Sequence, residues 1–192
     1  MSYTVNKSID SETRQVKFID VGIHDNVELV SVEYKVSPNG NPFIVFTFEK
    51  DGKRLTHTEY EPKDKDGNIL ENKKLNQLRR LRHIATKFMP EDEFEFEVET
   101  FEELGKEVVK RLTPKLKNTL VRIKVVYSNN NYTSLPRYVP FIERMDVEKS
   151  SLEILSIDKM TKDSPDVLPS YGKNIFSTDK EEGQTNNEDL PF

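Results

Sequence analysis

The chain has no cysteine. That excludes disulfides, thiolate zinc sites and thiol nucleophiles, and it agrees with a reducing, cytoplasmic compartment. Glycine is scarce, at seven in 192 residues, and no phosphate-cradling Gly motif, G-x-S-x-G or H-E-x-x-H occurs. His24, His57 and His83 are scattered and form no catalytic constellation. No apolar run approaches membrane-spanning length, and residues 1–7 carry no apolar signal-peptide core. The expectation is a chain that is not an enzyme, holds no cofactor or metal, and does not associate with membranes. Hydrophobic residues make up only 34% against 33% charged, so part of the chain is expected outside any core. The length fits one domain plus appendages.

What is present is segregated charge. The net charge is −5, yet residues 145–192 alone carry 11 acids and five lysines. Residues 106–144 hold nine basic residues against two acids, and residues 63–87 hold eight against three. Between them, residues 91–103 contain eight acids and no base. Segregation of this kind permits a local basic groove in a protein of acidic isoelectric point; solvated charged faces are the plainer alternative.

The apolar pattern reads as mainly β with a helical insertion. A short strand is expected near Val16–Ile19. From Val27, the residues Val30, Val32, Tyr34 and Val36 alternate with polar ones, the period of a half-buried strand. A dense turn at 37–42 leads to the run 43–48, apolar on both faces and so a central strand, and a hairpin at 49–52 returns as a third strand over 53–60. Asp64 to Asn68 resembles a calcium loop only briefly and reads as a turn. A helix fits 72–89, with Asn72 able to cap it and Leu75, Leu78, Leu81, Ala85 and Phe88 as its stripe. Phe94, Phe96 and Val98 alternate with glutamates as a short acidic strand. Thr100 and Glu103 form a capping-box signature that opens a second helix through Leu112. Then Val121, Ile123, Val125 and Tyr127 alternate with Arg122, Lys124 and Val126, a turn follows at 128–131, and residues 132–141 return as an edge strand carrying Pro136 and Pro140. Residues 151–157 read as a last strand or helical turn. The order matches an OB-fold-like five-stranded Greek-key barrel with one or two helices between its third and fourth strands. The expected organisation is an N-terminal extension over 1–26, the OB-like domain over 27–145 and a disordered acidic tail over 146–192.

Binding of single-stranded nucleic acid requires cations that track phosphates and flat rings that take unstacked bases. Lys115, Lys117, Arg122, Lys124 and Arg137 lie beside Tyr132 and Tyr138, with Arg144, Tyr127 and Phe141 also in this stretch. Tyr132 and Tyr138 are the stacking candidates, and Tyr127 is expected in the core. Arg79, Arg80 and Arg82 read either as an extension of the groove or as a solvated helix face. The turn at 37–42, flanked by Tyr34 and Phe43, corresponds to the first binding loop of an OB-fold. At the far end, residues 177–187 contain no apolar residue, and the chain closes on Glu188, Asp189, Leu190, Pro191 and Phe192. Such an end is expected to be gripped by a partner, ring and α-carboxylate entering one pocket together.

This tip and the OB-like order resemble single-stranded DNA-binding proteins of bacteria and their phages. Asp189, Leu190, Pro191 and Phe192 match the acid, apolar, Pro and terminal Phe roles of that family's tip. Residues 121–127 and 132–141 look like the closing hairpin of phage-encoded members. The acidic run is short, and the body lacks the Gly-rich linker and compact size of the bacterial housekeeping protein, which points to a phage or mobile-element version in a bacterial host's cytoplasm. The resemblance implies sequence-independent coating of single-stranded DNA during replication, repair and recombination. It also implies recruitment of a polymerase, helicase, primase or nuclease through the tip, and it leaves the oligomeric state open. The tail's charge gives it a second expected role, competing with DNA for the groove. Two alternatives stand beside this reading: an accessory module that binds partners through the tip without holding DNA, and a small nuclease whose carboxylates bind magnesium.

Overall fold

A computed structural model describes residues 17–117 and 119–163. The expected tip, Glu188 to Phe192, lies outside the described residues, as do most of the expected tail and the first 16 residues. The elements run β1 (Lys17–Phe18), β2 (Gly22–Val36), β3 (Pro42–Lys50), β4 (Lys53–Tyr60), α1 (Glu71–Ala85), α2 (Phe101–Leu112), β5 (Leu120–Tyr127), β6 (Thr133–Ser134) and β7 (Ile142–Arg144). The described protein is mainly β with two α-helices, and its seven strands make one mixed, open sheet in the order β1-β4-β3-β2-β5-β6, with β7 also on β5. β1 runs parallel to β4 and the other pairs are antiparallel.

β2 organises the sheet because it is long enough to serve two neighbours. Its first half, from Gly22 to Glu28, pairs with β5, and its second half, from Glu28 to Val36, pairs with β3. Two irregularities let it do so. Asn26 takes a positive φ of 56°, and the β5 register shifts between His24 and Val27. A second shift between Leu29 and Ser31 leaves Val30 without a partner. A bulge of this kind exchanges the inward and outward faces. Val27 and Leu29 are buried before it, Val32 after it, while Val30 and Val36 are exposed. The simple alternation expected from Val30 onward therefore fails at Val30 itself.

β3 is central, with Ile44, Phe46 and Phe48 fully buried, and each such side chain contributes roughly 1.5–3 kcal/mol of burial. The hairpin to β4 uses Asp51 and Gly52, both at positive φ, the backbone that a two-residue turn needs to match strand twist. α2 carries the full capping box, Thr100 accepting from the Glu103 backbone and Glu103 accepting from the Thr100 backbone. It lies on β2 through Gly105, where an added Cβ would stand 2.3 Å from Tyr34 Cδ2. α1 starts after Leu70, not under an Asn72 cap. Its buried residues are Gln77, Arg80, Leu81, Ile84 and Ala85, whereas Leu75 and Leu78 are exposed.

Three other expectations are corrected. Residues 95–98 pair with no described strand, and a single 3-10 turn spans Asp92–Phe94. The return from β5 pairs only at Thr133–Ser134 and Ile142–Arg144, since the intervening stretch holds two prolines that cannot donate. That stretch runs beside β4 through side chains, with the Phe141 ring 6.2 Å from that of His57, so no ladder closes the sheet into a barrel. Finally, the compact unit extends to Lys162, beyond the boundary expected at Met145. Leu152 is buried and the Tyr127 N–H donates to the Lys159 carbonyl at 2.8 Å, so residues 151–159 lie over β5.

Candidate nucleic-acid interface

The residues expected to form a basic face on β5 are engaged inside the protein. Lys124 is 2% exposed, and its Nζ donates to the Tyr138 hydroxyl, the Glu153 carbonyl and Asp158 Oδ2, each at 2.9 Å. The Tyr138 hydroxyl donates in turn to Asp158 Oδ1, and the ammonium stands 4.7 Å from the Tyr138 ring centroid. Burial alone would lower the Lys124 ammonium, but the hydrogen bonds with Tyr138 and Asp158 outweigh it and raise the pKa. Arg122 forks between Asp25 and Glu143, the latter at 2.6 Å. Burial raises the Glu143 carboxyl, yet donors from Ser150, Ser151 and Arg122 overcome it and hold it at about 2. A desolvated charge needs such partners; Glu153 and Asp158, from the segment that follows β7, supply part of them to Lys124, and Ser150 and Ser151 supply them to Glu143. Lys124 is thus withdrawn from solvent, while Tyr138 and Arg122 are half-buried with their polar atoms engaged.

Arg80 is withdrawn as well. Its Nε and Nη2 each donate to Glu59 at 2.6 Å, and its Nη1 donates to the Arg137 carbonyl at 3.3 Å. Gln77 donates to Glu59 Oε2 at 3.3 Å, and His57 Nε2 lies 2.9 Å from Glu59 Oε1, while His57 Nδ1 has no partner among the described residues. Burial raises the Glu59 carboxyl, but the bonds from Arg80 and His57 dominate and bring it to about 2. Nearby, burial and the charge of Lys87 lower His83 to about 4. This leaves its Nε2 free to accept the Phe141 N–H at 3.3 Å.

The remaining expected residues are at the surface. Arg79 is exposed, and its Nη1 donates to Asn76 Oδ1 at 3.0 Å. Arg82 pairs with Glu91 at 3.1 Å and Glu95 at 3.6 Å, and Lys115 pairs with Glu93 at 2.8 Å. Exposed pairs of this type are worth little and open readily. Lys117 and the Arg137 side chain are exposed and have no ion pair among the described residues. Tyr132 is 73% exposed. It closes the turn of residues 128–131, where the Ser128 N–H donates to the Tyr132 carbonyl at 2.8 Å and Asn131 takes a φ of 61°.

A second exposed surface lies on the outer face of β3 and β4. Directly opposed residues share a face, so the register sets Lys35, Phe43 and Tyr60 in one row, Val45 and Thr58 in the next, and Thr47 and Thr56 in a third. The Phe43 and Tyr60 rings stand 5.2 Å apart, tilted by 40°, and Tyr60 is 53% exposed. Beside them, the turn 37–41 is held by Ser37 N–H to Asn41 O and Gly40 N–H to Ser37 O, both at 2.9 Å, with Gly40 at φ 79°. Of the two residues flanking that turn, Tyr34 points inward beneath α2 and Phe43 points outward. β6, just after Tyr132, lies against β4. On this face Tyr60, Thr56 and Arg54 are exposed, Phe43, Thr47 and Thr58 are half-buried and Val45 is buried. The lane therefore offers rings at one end, threonine hydroxyls beside a buried Val45 in its middle and Arg54 at the other end.

Tyr60 was not among the expected site residues. Period-two reading of β4 places Arg54, Thr56, Thr58 and Tyr60 on one face. The polar character of His57 and Glu59 concealed that theirs is the inward face. Among the described residues no helix is long and apolar enough to cross a membrane, and no group of three or more His, Asp or Glu side chains is placed to hold a metal ion. No protein-family model matches the chain, and no curated protein matches it.

Proposed function

We propose that the protein binds single-stranded DNA without sequence preference and recruits replication or repair enzymes through Glu188 to Phe192. The observation that carries this reading is the Phe43–Tyr60 ring pair beside the 37–41 turn, with Tyr60 exposed and Phe43 half-buried, together with the exposed Tyr132 on a neighbouring turn. Aromatic faces that stack on bases contribute roughly 1–3 kcal/mol per base. Paired surface cations such as Lys35 with Glu33, at 2.9 Å, and Arg54 with Glu49, at 2.9 Å, can exchange their carboxylate partners for phosphates. The finer architecture belongs to the same proposal: a long first strand shared by two neighbours, two more antiparallel strands, helices, then a strand with a broken return is an OB-like order.

The accessory-module reading has its own support, because Arg80, Arg122, Lys124 and Tyr138 are engaged internally and would leave DNA few free cations. A gel shift with oligo-dT against duplex, with and without magnesium, separates the readings. Magnesium-independent binding to oligo-dT supports the proposal, absence of binding supports the accessory module, and cleavage supports a nuclease. Log affinity should fall steeply with log salt.

A further inference from the structure

A groove of about 590 Å³ opens between α1 and the chain segment that leads into α2. Its floor is apolar, formed by Leu78, Leu81, Phe94, Phe96, Phe101 and Leu104. Leu78 is 38% exposed although it belongs to the expected apolar stripe of α1.

One wall of the groove is an unpaired extended edge. Phe94, Phe96 and Val98 are buried or half-buried while Glu95, Glu97 and Glu99 are exposed, the alternation of a strand. Glu95 has φ −104° and ψ 121°. Yet no hydrogen bond among the described residues engages the backbone from Glu95 to Val98. An extended edge with free N–H and C=O groups beside an apolar trough is the arrangement that accepts an added strand.

The charge at the rim selects the chemistry of that strand. The cations there already have partners, Lys63 on Glu61 at 2.7 Å and Arg82 on Glu91 at 3.1 Å. Glu97 and Glu99 also line the groove and have no cation at ion-pair distance among the described residues. They sit in the stretch 91–103, which has eight acids and no base. We propose that this groove docks an extended partner segment in which Lys or Arg alternates with apolar residues. Its backbone pairs with residues 95–98, its apolar side chains enter between Leu78 and Phe96, and its cations meet Glu97 and Glu99. The surface is independent of the DNA-binding reading, since a face rich in unpaired carboxylates repels phosphate.

The test uses the full chain and a fluorescein-labelled acetyl peptide, Lys-Leu-Lys-Val-Lys-Leu-Lys, followed by anisotropy. Saturable binding is expected. It should be absent for the Glu-Leu-Glu-Val-Glu-Leu-Glu counterpart and for the lysine peptide N-methylated at alternate backbone nitrogens. Leu78→Glu, at an exposed position, should weaken the lysine peptide by about tenfold or more through loss of an apolar anchor, with oligo-dT binding and thermal melting unchanged. Glu97→Lys with Glu99→Lys should invert the preference toward the glutamate peptide. No saturable binding of the lysine peptide, equal binding of both peptides, or indifference to Leu78→Glu would overturn the proposal. So would displacement of the lysine peptide by free Asn-Glu-Asp-Leu-Pro-Phe, or a dimer that Leu78→Glu dissolves, since either would give the groove a different occupant.

Discussion

β5 and β4 both alternate in sequence, and the polar row of each meets an opposite fate. On β5, Lys124 lies beneath the segment that follows β7 and becomes an internal ion-pair partner of Asp158, while Arg122 is held between Asp25 of β2 and Glu143 of β7. On β4, Arg54, Thr56, Thr58 and Tyr60 remain on an open face. The inward row of β4 is itself polar in part, with His57 and Glu59 buried against Arg80. Alternation tells that a strand has two faces. Which face is covered depends on chain far away in sequence, and a charged row is no guarantee of solvent.

The largest way to break this contrast is to remove a buried partner. Arg80→Ala leaves Glu59 uncompensated and is expected to cost about 3–5 kcal/mol of stability in urea unfolding, whereas loss of oligo-dT affinity without loss of stability would return Arg80 to the interface. The same network sets the acid limit. Glu59 sits at about 2 against an ordinary 4.5, so its contribution is complete above 4.5 and is lost as pH falls toward 2. His83 is depressed from 6.5 to about 4, so the unfolded chain binds the proton first, and stability falls between those values. His83→Gln should flatten that earlier window in urea titrations at stepped pH. A methyl group at Gly105 probes the helix-on-sheet contact. Gly105→Ala is expected to destabilise by roughly 1–3 kcal/mol through overpacking on Tyr34, although alanine favours a helix. Arg79→Ala should be the mildest, within about 0.5 kcal/mol in stability; a larger change would mean that this exposed residue has a structural contact.

Much of the frame was legible because local chemistry determines it. The hairpin at Asp51 and Gly52, the span of β4 and the Thr100–Glu103 box each rest on residues adjacent in sequence. The bulge at Val30 was not legible, since it arises where β2 must serve both β3 and β5. The unpaired stretch 95–98 has the pattern of a strand but no neighbour within reach in the fold. At the candidate site, Tyr132 was legible as a residue of the 128–131 turn and Phe43 as a flank of the 37–41 turn, whereas Arg137 is exposed in a stretch that pairs with no strand and not on the expected edge strand. Tyr60 was hidden by the polar interior facing it. Lys124 was misread because Asp158, its partner 34 positions on, lies in a stretch with no clear periodicity.

The central claim is that the outer face of β3 and β4 takes the bases. Fluorescence anisotropy of labelled oligo-dT with the wild-type chain and with the Phe43→Ala, Tyr60→Ala double variant tests it most directly. The account predicts magnesium-independent binding by the wild type and a loss of about 2–6 kcal/mol, from two rings at roughly 1–3 kcal/mol each, in a double variant that still unfolds cooperatively. Equal affinity of the two proteins, or no binding by the wild type, would contradict it.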